Sequence, residues 1–164
     1  MILASSEGRT YLNWFFDLIT NPFLITSVSS WFIAQVLKVI IHAIVCKTWD
    51  LERLFGDGGM PSGHSATVSS LAVYTALACG TGSFQFAVSA ILAIIVCHDA
   101  MGVRWETGKQ AQVINDILKS IDILTAKELP AVKLKEFVGH TPVQVATGIL
   151  LGAANALLMY FVIL

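Results

Sequence analysis

The sequence predicts an all-α integral membrane protein: a helical bundle of about four spans, with an N-terminal interfacial helix and an amphipathic surface helix. Hydrophobic residues make up 55% of the 164 residues and charged residues only 13%, and the mean hydropathy is +0.73. This composition is too apolar for an ordinary soluble domain. Polar segments separate apolar runs at about 23–46, 64–80, 83–101 and 141–164. We interpret the chain as one domain, 1–164.

Charge and cysteine usage exclude several classes of protein. The net charge of −1 gives no reason to expect a nucleic-acid partner. The cysteines Cys46, Cys79 and Cys97 are odd in number and form no CxxC pair. They are interpreted as small buried apolar residues, which argues against a disulfide framework or a zinc site. We predict no metal and no cofactor.

An aromatic patch from Tyr11 to Ile19 precedes the first span. It is too short to cross a bilayer, and we interpret it as an interfacial helix or a lead-in to the span.

The first span carries an unusual polar face. Within 23–46, the residues Gln35, Lys38 and His42 share one helix face. A lysine inside a span is costly, so Lys38 either faces protein or water as a functional group or extends to the interface.

The second span begins at a glycine-rich turn, Gly58 to Ala66. Pro61 has the φ angle of a first helical turn, and Ser62 is a residue type that caps free backbone N–H groups. His64 is therefore expected at a helix N-terminus, where an anion is favoured and an imidazole can act as a general acid. The alternative is a capped membrane helix with an interfacial histidine. The small residues of 64–80 suit close helix packing.

The segment 105–135, between the third and fourth spans, is predicted to contain an amphipathic helix. Apolar residues recur every three or four positions over 109–125, at Val113, Ile117, Ile121 and Leu124. This helix is expected to lie on the membrane surface or to pack against a partner. Pro130 ends it, and 131–138 is a candidate for a short second helix.

The fourth span has clear start signals. Thr141 and Gln144 fit a capping box, with Pro142 at the first helical position. Gly148 and Gly152 are four residues apart, a spacing typical of closely packed membrane helices. His140, like His64, is therefore predicted at the mouth of a span.

Four spans that alternate in direction bring the candidate residues to one face of the membrane. His64, Asp99, Arg104 and His140 all lie at that face, with Lys38 about two turns deeper at 1.5 Å per residue. Histidines and cations at two helix N-termini suit a phosphate-like anion. Each has a simpler explanation: Arg104 can be a positive-inside anchor, and Asp99 can pair with it.

The motifs resemble the type 2 phosphatidic acid phosphatase superfamily, which includes vanadium haloperoxidases. Pro61-Ser62-Gly63-His64 is similar to its second signature, and the run from Gly139 to Gly152 to the later half of its third. Together with Ala34-Gln35-x-x-Lys38 and Asp99-Ala100-x-Gly102-Val103-Arg104, the match is to a divergent branch.

The resemblance implies a role for each candidate. His140 would be the nucleophile that forms a phosphohistidine, and His64 the acid that protonates the leaving oxygen. Lys38, Arg104, Ser62 and Gly63 would bind the phosphate, with Asp99 in support. Gln144 stands where the family has an aspartate that orients the nucleophile. Arg104 and His140 are also much further apart than in the family at large.

The predicted function is a metal-independent phosphatase of a lipid monophosphate, such as phosphatidylglycerophosphate, phosphatidic acid or an isoprenyl phosphate. The alternative is a non-catalytic lipid-phosphate-binding scaffold, which the replacement at Gln144 favours; a small transporter subunit fits less well. Dimerisation would supply packing surface that four spans lack. Eight of the ten Lys and Arg residues lie in the two segments on the active-site side, which predicts a cytoplasmic active site.

Overall fold

All secondary structure in the described residues is helical. The computed structural model describes residues 11–47, 59–125, 134 and 139–163. The helices are α1 (Tyr11–Ile19), α2 (Pro22–Cys46), α3 (Gly63–Cys79), α4 (Phe84–Met101), α5 (Val103–Thr125) and α6 (Pro142–Leu158), and α6 continues as a π-helix over Met159–Ile163. The predicted all-α membrane bundle is confirmed.

Local sequence signals set most helix starts. The Asn21 side chain accepts hydrogen bonds from the backbone N–H groups of Phe23 and Leu24, with Pro22 in the first turn of α2. Ser83 caps α4 in the same way through the N–H of Phe86, at 3.1 Å. These polar side chains satisfy N–H groups that a helix leaves without partners, which is why α2 and α4 begin within one residue of the predicted spans.

Three helices of the described chain are long and apolar enough to cross a membrane: Pro22–Cys46, the run Phe84–Ile121 that contains α4, and Pro142–Ile163. The fourth predicted span, 64–80, corresponds to α3, which has only 17 residues and buries Ser65, Ser69, Ser70 and Thr75. The count of about four spans therefore stays a prediction. Because α3 packs against α2, α4 and α6, its polar side chains contact protein instead of lipid.

Helix α3 is the centre of the bundle. It pairs with α6 in parallel, as shown by contacts from Ser62 with Gln144 at one end to Tyr74 with Tyr160 at the other. It runs antiparallel to α2, since Tyr74 also packs edge-on against Phe23, with ring centroids 5.2 Å apart. The ends of α2 and α4 and the starts of α3 and α6 therefore lie at the same end of the bundle, which we call the site end.

A buried hydrogen-bond network joins α2 to α6. The Asn155 amide nitrogen lies 3.2 Å from the carbonyl oxygen of Thr26, and 3.0 Å and 2.8 Å from the hydroxyls of Ser29 and Ser30. Asn155 is nearly fully buried. Since a membrane interior offers no water to such groups, mutual pairing is how these helices satisfy them.

Helix α5 begins earlier than predicted, at Val103 instead of 109. The N–H of Gly102 closes α4 on His98, and its carbonyl accepts the N–H of Glu106, so one helix leads directly into the next. Val113, Ile114, Ile117 and Ile121 form the exposed apolar stripe of the predicted amphipathic helix. On the opposite face, the Asn115 side chain binds both the N–H and the C=O of Leu134. The proposed helix over 131–138 lies outside the described residues, apart from Leu134.

Candidate functional site

The N-terminus of α3 is capped by Ser62. Its hydroxyl oxygen accepts the N–H of Ser65 at 3.3 Å and the hydroxyl proton of Ser65 at 3.0 Å. Pro61 therefore lies before the cap, not in the first helical turn as predicted, and Gly63 is the first helical residue. Ser62 is fully buried, so its side chain serves the helix start in this structure, and its assignment to phosphate binding remains a prediction.

The N-terminus of α6 carries the predicted capping box. The Thr141 hydroxyl accepts the N–H of Gln144 at 3.3 Å, and Gln144 Oε1 accepts the N–H of Thr141 at 2.9 Å. His140 directly precedes this box, and its N–H donates to the carbonyl of Ala100 on α4 at 3.1 Å. The position of His140 is thus set by one backbone hydrogen bond to α4 and by the capping box at the start of α6.

Gln144 also lies beside the His140 imidazole. Its Oε1 is 3.4 Å from His140 Nδ1, a longer contact than the one to the Thr141 N–H. With the proton on Nδ1, the ring donates to this oxygen and Nε2 carries the lone pair. The amide can therefore select the tautomer, although it carries no charge to stabilise an imidazolium.

Two glycines bring α3 and α6 into backbone contact. A Cβ at Gly148 would lie 2.5 Å from the carbonyl oxygen of Ser62, and one at Gly152 only 2.2 Å from that of Ala66. The N–H of Ser62 donates to the carbonyl of Gln144 at 3.0 Å. The predicted close packing at this glycine pair is confirmed, and it holds the two helix N-termini side by side.

A cavity of about 220 Å³ lies at the site end, between α3, α4 and the residues before α6. Three of the predicted site residues line it together: His64, Asp99 and His140. Gly139, Ala100, Ile95 and Val96 complete the lining. His64 lies in the first turn of α3 and His140 directly precedes α6, so the cavity combines two imidazoles with the positive ends of two helices, an arrangement suited to an anion.

Lys38 reaches the same turn from the α2 side. It is only 3% exposed, and its Cγ lies 3.1 Å from where a Cβ on Gly59 would be. The lysine therefore faces protein, and the alternative in which it extends to the interface is excluded. Gly63, the first residue of α3, packs against Trp31 and Gln35, which lie on α2 as Lys38 does. Lys38 and Gly63 do not appear in the cavity lining, so the predicted residues form two groups around the start of α3.

Arg104 belongs to the first turn of α5, directly after the helix that carries Asp99. Its side chain lies outside the described part of the structure. Within the described ranges, no three His, Cys, Asp or Glu side chains are grouped closely enough to hold a metal ion.

Two features of the site were missed in the sequence. Ile95 and Val96 form an apolar wall of the cavity. They precede Asp99 by four and three residues, so their spacing alone places them on the same face of α4 as Asp99. The sequence predicts only that Gln35 belongs to the polar face of α2, yet its Oε1 is buried with no hydrogen-bond partner in the described residues.

Comparison with known proteins identifies the family of the chain. The sequence model of the Divergent PAP2 family matches residues 19–155. The chain is also 40% identical, over 154 residues, to the uncharacterized membrane protein YuiD of Bacillus subtilis (strain 168), an alignment that covers 88% of this chain and 98% of that protein. No solved structure matches the chain. The extent of both alignments shows that this integral membrane protein belongs to the Divergent PAP2 family.

Proposed function

We propose that the protein is a metal-independent phosphatase that hydrolyses a lipid phosphomonoester. The observation that supports this most strongly is the cavity lined jointly by His64, Asp99 and His140. These residues come from α3, α4 and the segment before α6, and two helix N-termini border the space between them. Such a site provides a nucleophile, a proton donor and anion-binding groups without a metal ion.

The proposed reaction has two steps. In the first, His140 Nε2 attacks phosphorus, the bond from phosphorus to the lipid oxygen breaks, and protonated His64 gives its proton to that oxygen. In the second, His64 removes a proton from water, the water oxygen attacks phosphorus, and the phosphorus–nitrogen bond breaks. Orthophosphate leaves, and both imidazoles return to their starting forms.

Cations and backbone donors would stabilise the charge on the phosphoryl group. Lys38 and Arg104 are the proposed clamp, with the backbone N–H of Gly63 as a third donor. Burial of Lys38 supports this role, because an ammonium held away from water interacts strongly with an anion. Asp99 is proposed to support the clamp from α4.

The apolar wall of the cavity favours a lipid substrate. Ile95 lines the cavity and is also 59% exposed on the outside of the bundle, on a helix apolar enough to span a membrane. A phosphate head in the cavity could thus continue into a hydrocarbon tail along α4. Phosphatidylglycerophosphate, phosphatidic acid and isoprenyl phosphates all have this form.

The direct test is phosphate release from a panel of these lipids by the purified protein. We expect turnover that persists in EDTA and is inhibited by vanadate, which resembles the pentacoordinate phosphorus of the transition state. His140→Asn should lower kcat by about 10³-fold or more. His98→Asn is the matched control, because His98 is an exposed histidine of α4 outside the cavity lining. Activity abolished by EDTA and restored by magnesium would contradict the mechanism.

A second candidate is a non-catalytic protein that binds lipid phosphates. It is favoured by Gln144, whose Oε1 is closer to the Thr141 N–H than to the His140 imidazole. A protein of this kind would bind the same lipids in vesicles without releasing phosphate, and His140→Asn would leave lipid binding intact.

The site is proposed to face the cytoplasm, where newly made lipid phosphates are present. The basic segments at the site end support this orientation. Cysteines at Lys119 and at Gly82 would test it: both positions are exposed, and Gly82 lies in the α3–α4 turn at the opposite end. In cells without native cysteines, an impermeant maleimide should label only the Gly82→Cys protein from outside. Labelling of only the Lys119→Cys protein would reverse the orientation.

A further inference from the structure

Gln35 is a buried polar residue without a structural explanation. It lies in the middle of α2, is only 7% exposed, and has a terminal Oε1 atom with no hydrogen-bond partner in the described residues. Buried amides are nearly always paired, since an unpaired polar atom loses its bonds to water and gains nothing in return. An apolar side chain of similar length would fill this volume at lower cost.

The Gln35 amide is directed at the start of α3. Its Nε2 lies 3.7 Å from the position that a Cβ on Gly63 would occupy. Ser62 accepts the N–H groups of Ser65 and Ala66. In the described structure the N–H groups of Gly63 and His64 have no acceptor. An amide whose oxygen is unpaired therefore lies beside unpaired N–H groups at the positive end of a helix.

From this geometry we propose that Gln35 is a phosphate-binding residue, which donates an amide hydrogen bond to a phosphate oxygen held at the α3 N-terminus. The inference rests on the proposed function in one respect, namely that the site takes a phosphate ester. A half-turn about the Cγ–Cδ bond exchanges Oε1 with Nε2 in the same volume, so either end of the amide can face the anion. Gln35 then acts together with Lys38, one helical turn further along α2.

If Gln35 binds phosphate, replacing it by an apolar residue should raise the thermal stability of the protein and lower its affinity for phosphate. Gln35→Met replaces the amide by an apolar group of similar length and removes the unpaired atom. We expect this variant to unfold at a higher temperature than the wild type, by about 2–4 °C. Its affinity for inorganic phosphate should fall by about tenfold to a hundredfold, the effect of one hydrogen bond to a charged group.

Thr26→Val is the matched control. Thr26 lies on the same helix, is fully buried, and also has a side-chain oxygen without a partner in the described residues. It is nine residues before Gln35, about 14 Å along the axis. The isosteric change should therefore raise the unfolding temperature in the same way while leaving phosphate affinity unchanged.

The experiment titrates full-length protein in detergent with orthophosphate and with orthovanadate by calorimetry, and follows thermal unfolding of the same samples. Gln35→Glu keeps the polar shape, provides a second test if the Met protein does not fold, and should abolish binding by repelling the anion. Unchanged affinity in either Gln35 variant would overturn the inference, as would a wild type that binds neither anion.

The proposed function is tested separately by lipid phosphate hydrolysis. A wild type that binds orthophosphate through Gln35 but releases no phosphate from any lipid would refute the phosphatase and support the role of Gln35. If the Gln35→Met protein still hydrolyses lipid phosphates and binds orthophosphate as tightly as the wild type, the phosphatase is supported and the role of Gln35 is refuted.

Discussion

The α3–α6 pair and helix α4 meet at the same cavity but differ in how closely they approach their neighbours. Most buried positions of α3 and α6 are small or polar, such as Ser65, Ser70, Gly148 and Gly152, and the two glycines allow backbone contact. In α4 the large apolar side chains point outward, and its buried residues are only Ser89, Cys97 and Ala100. The difference teaches that large exposed apolar side chains mark the surface available to lipid in this bundle, whereas small residues allow the closest contact between helices.

The largest expected effect is on the α3–α6 contact. Gly152→Val would force a side chain into the carbonyl of Ala66, where even a Cβ has only 2.2 Å. We expect a loss of about 3 kcal/mol in the free energy of unfolding, measured by thermal or denaturant unfolding in detergent. Gly82→Val is the control, because nothing lies within 4 Å of a Cβ at Gly82. Equal stability of the two variants would mean that the helices are not in backbone contact.

Variants of Gln144 distinguish its helix-capping role from its proposed catalytic role at the start of α6. Gln144→Leu removes both contacts of Oε1 and should lower kcat by about tenfold, whereas Gln144→Glu should keep or raise it. Thr141→Ala, which breaks the other half of the capping box, should reduce thermal stability but not kcat. If Leu costs only thermal stability and leaves kcat unchanged, Gln144 is only a cap.

A smaller effect is expected at the buried network of Asn155. Asn155→Leu leaves Thr26, Ser29 and Ser30 without their common donor and should cost about 1–2 kcal/mol in detergent. Ile94→Ala on α4, where the side chain is 68% exposed, should cost much less. A reversed order would show that the outward face of α4 is covered by protein in the native assembly.

The smallest effect should be confined to lipid substrates. Ile95→Trp narrows the apolar wall, so we expect hydrolysis of a long-chain lipid phosphate in vesicles to fall several-fold relative to a water-soluble phosphomonoester. Ile94→Trp changes the neighbouring residue, which is similarly exposed but outside the cavity lining, and should leave this ratio unchanged. If hydrolysis of both substrates falls equally in Ile95→Trp, Ile95 does not contact the hydrocarbon tail of the lipid.

Prediction from the sequence worked best where the chain carries a local signal. Asn21, the Thr141–Gln144 box and the Gly148–Gly152 pair each act through backbone groups within a few residues or along one helix face. These features follow from residue type and spacing alone. The same holds for α5, although its start depends on how Gly102 joins it to α4.

Features that depend on contacts between distant helices could not be predicted in this way. Asn155 lies inside an apolar run, and its hydrogen bonds cannot be predicted from the residues near it, because its partners lie more than a hundred residues earlier on α2. The polar composition of α3 reflects its central position, packed against α2, α4 and α6. The division of the site into a Lys38 side and a His140 side follows from the packing of α2 and α4 on α3.

The backbone contact at Gly148 and Gly152 has a consequence for the response to membrane thickness. A helix that is longer than the bilayer is thick tilts, at a modest cost per ångström of mismatch. Helices α3 and α6 would have to tilt together, so the separation of His64 and His140 should hold in membranes of different thickness. Helix α4 has large apolar side chains toward lipid and no such contact, so a change in thickness would move the Ile95 wall first. Membrane composition would then alter which chain lengths are accepted before it altered the chemistry.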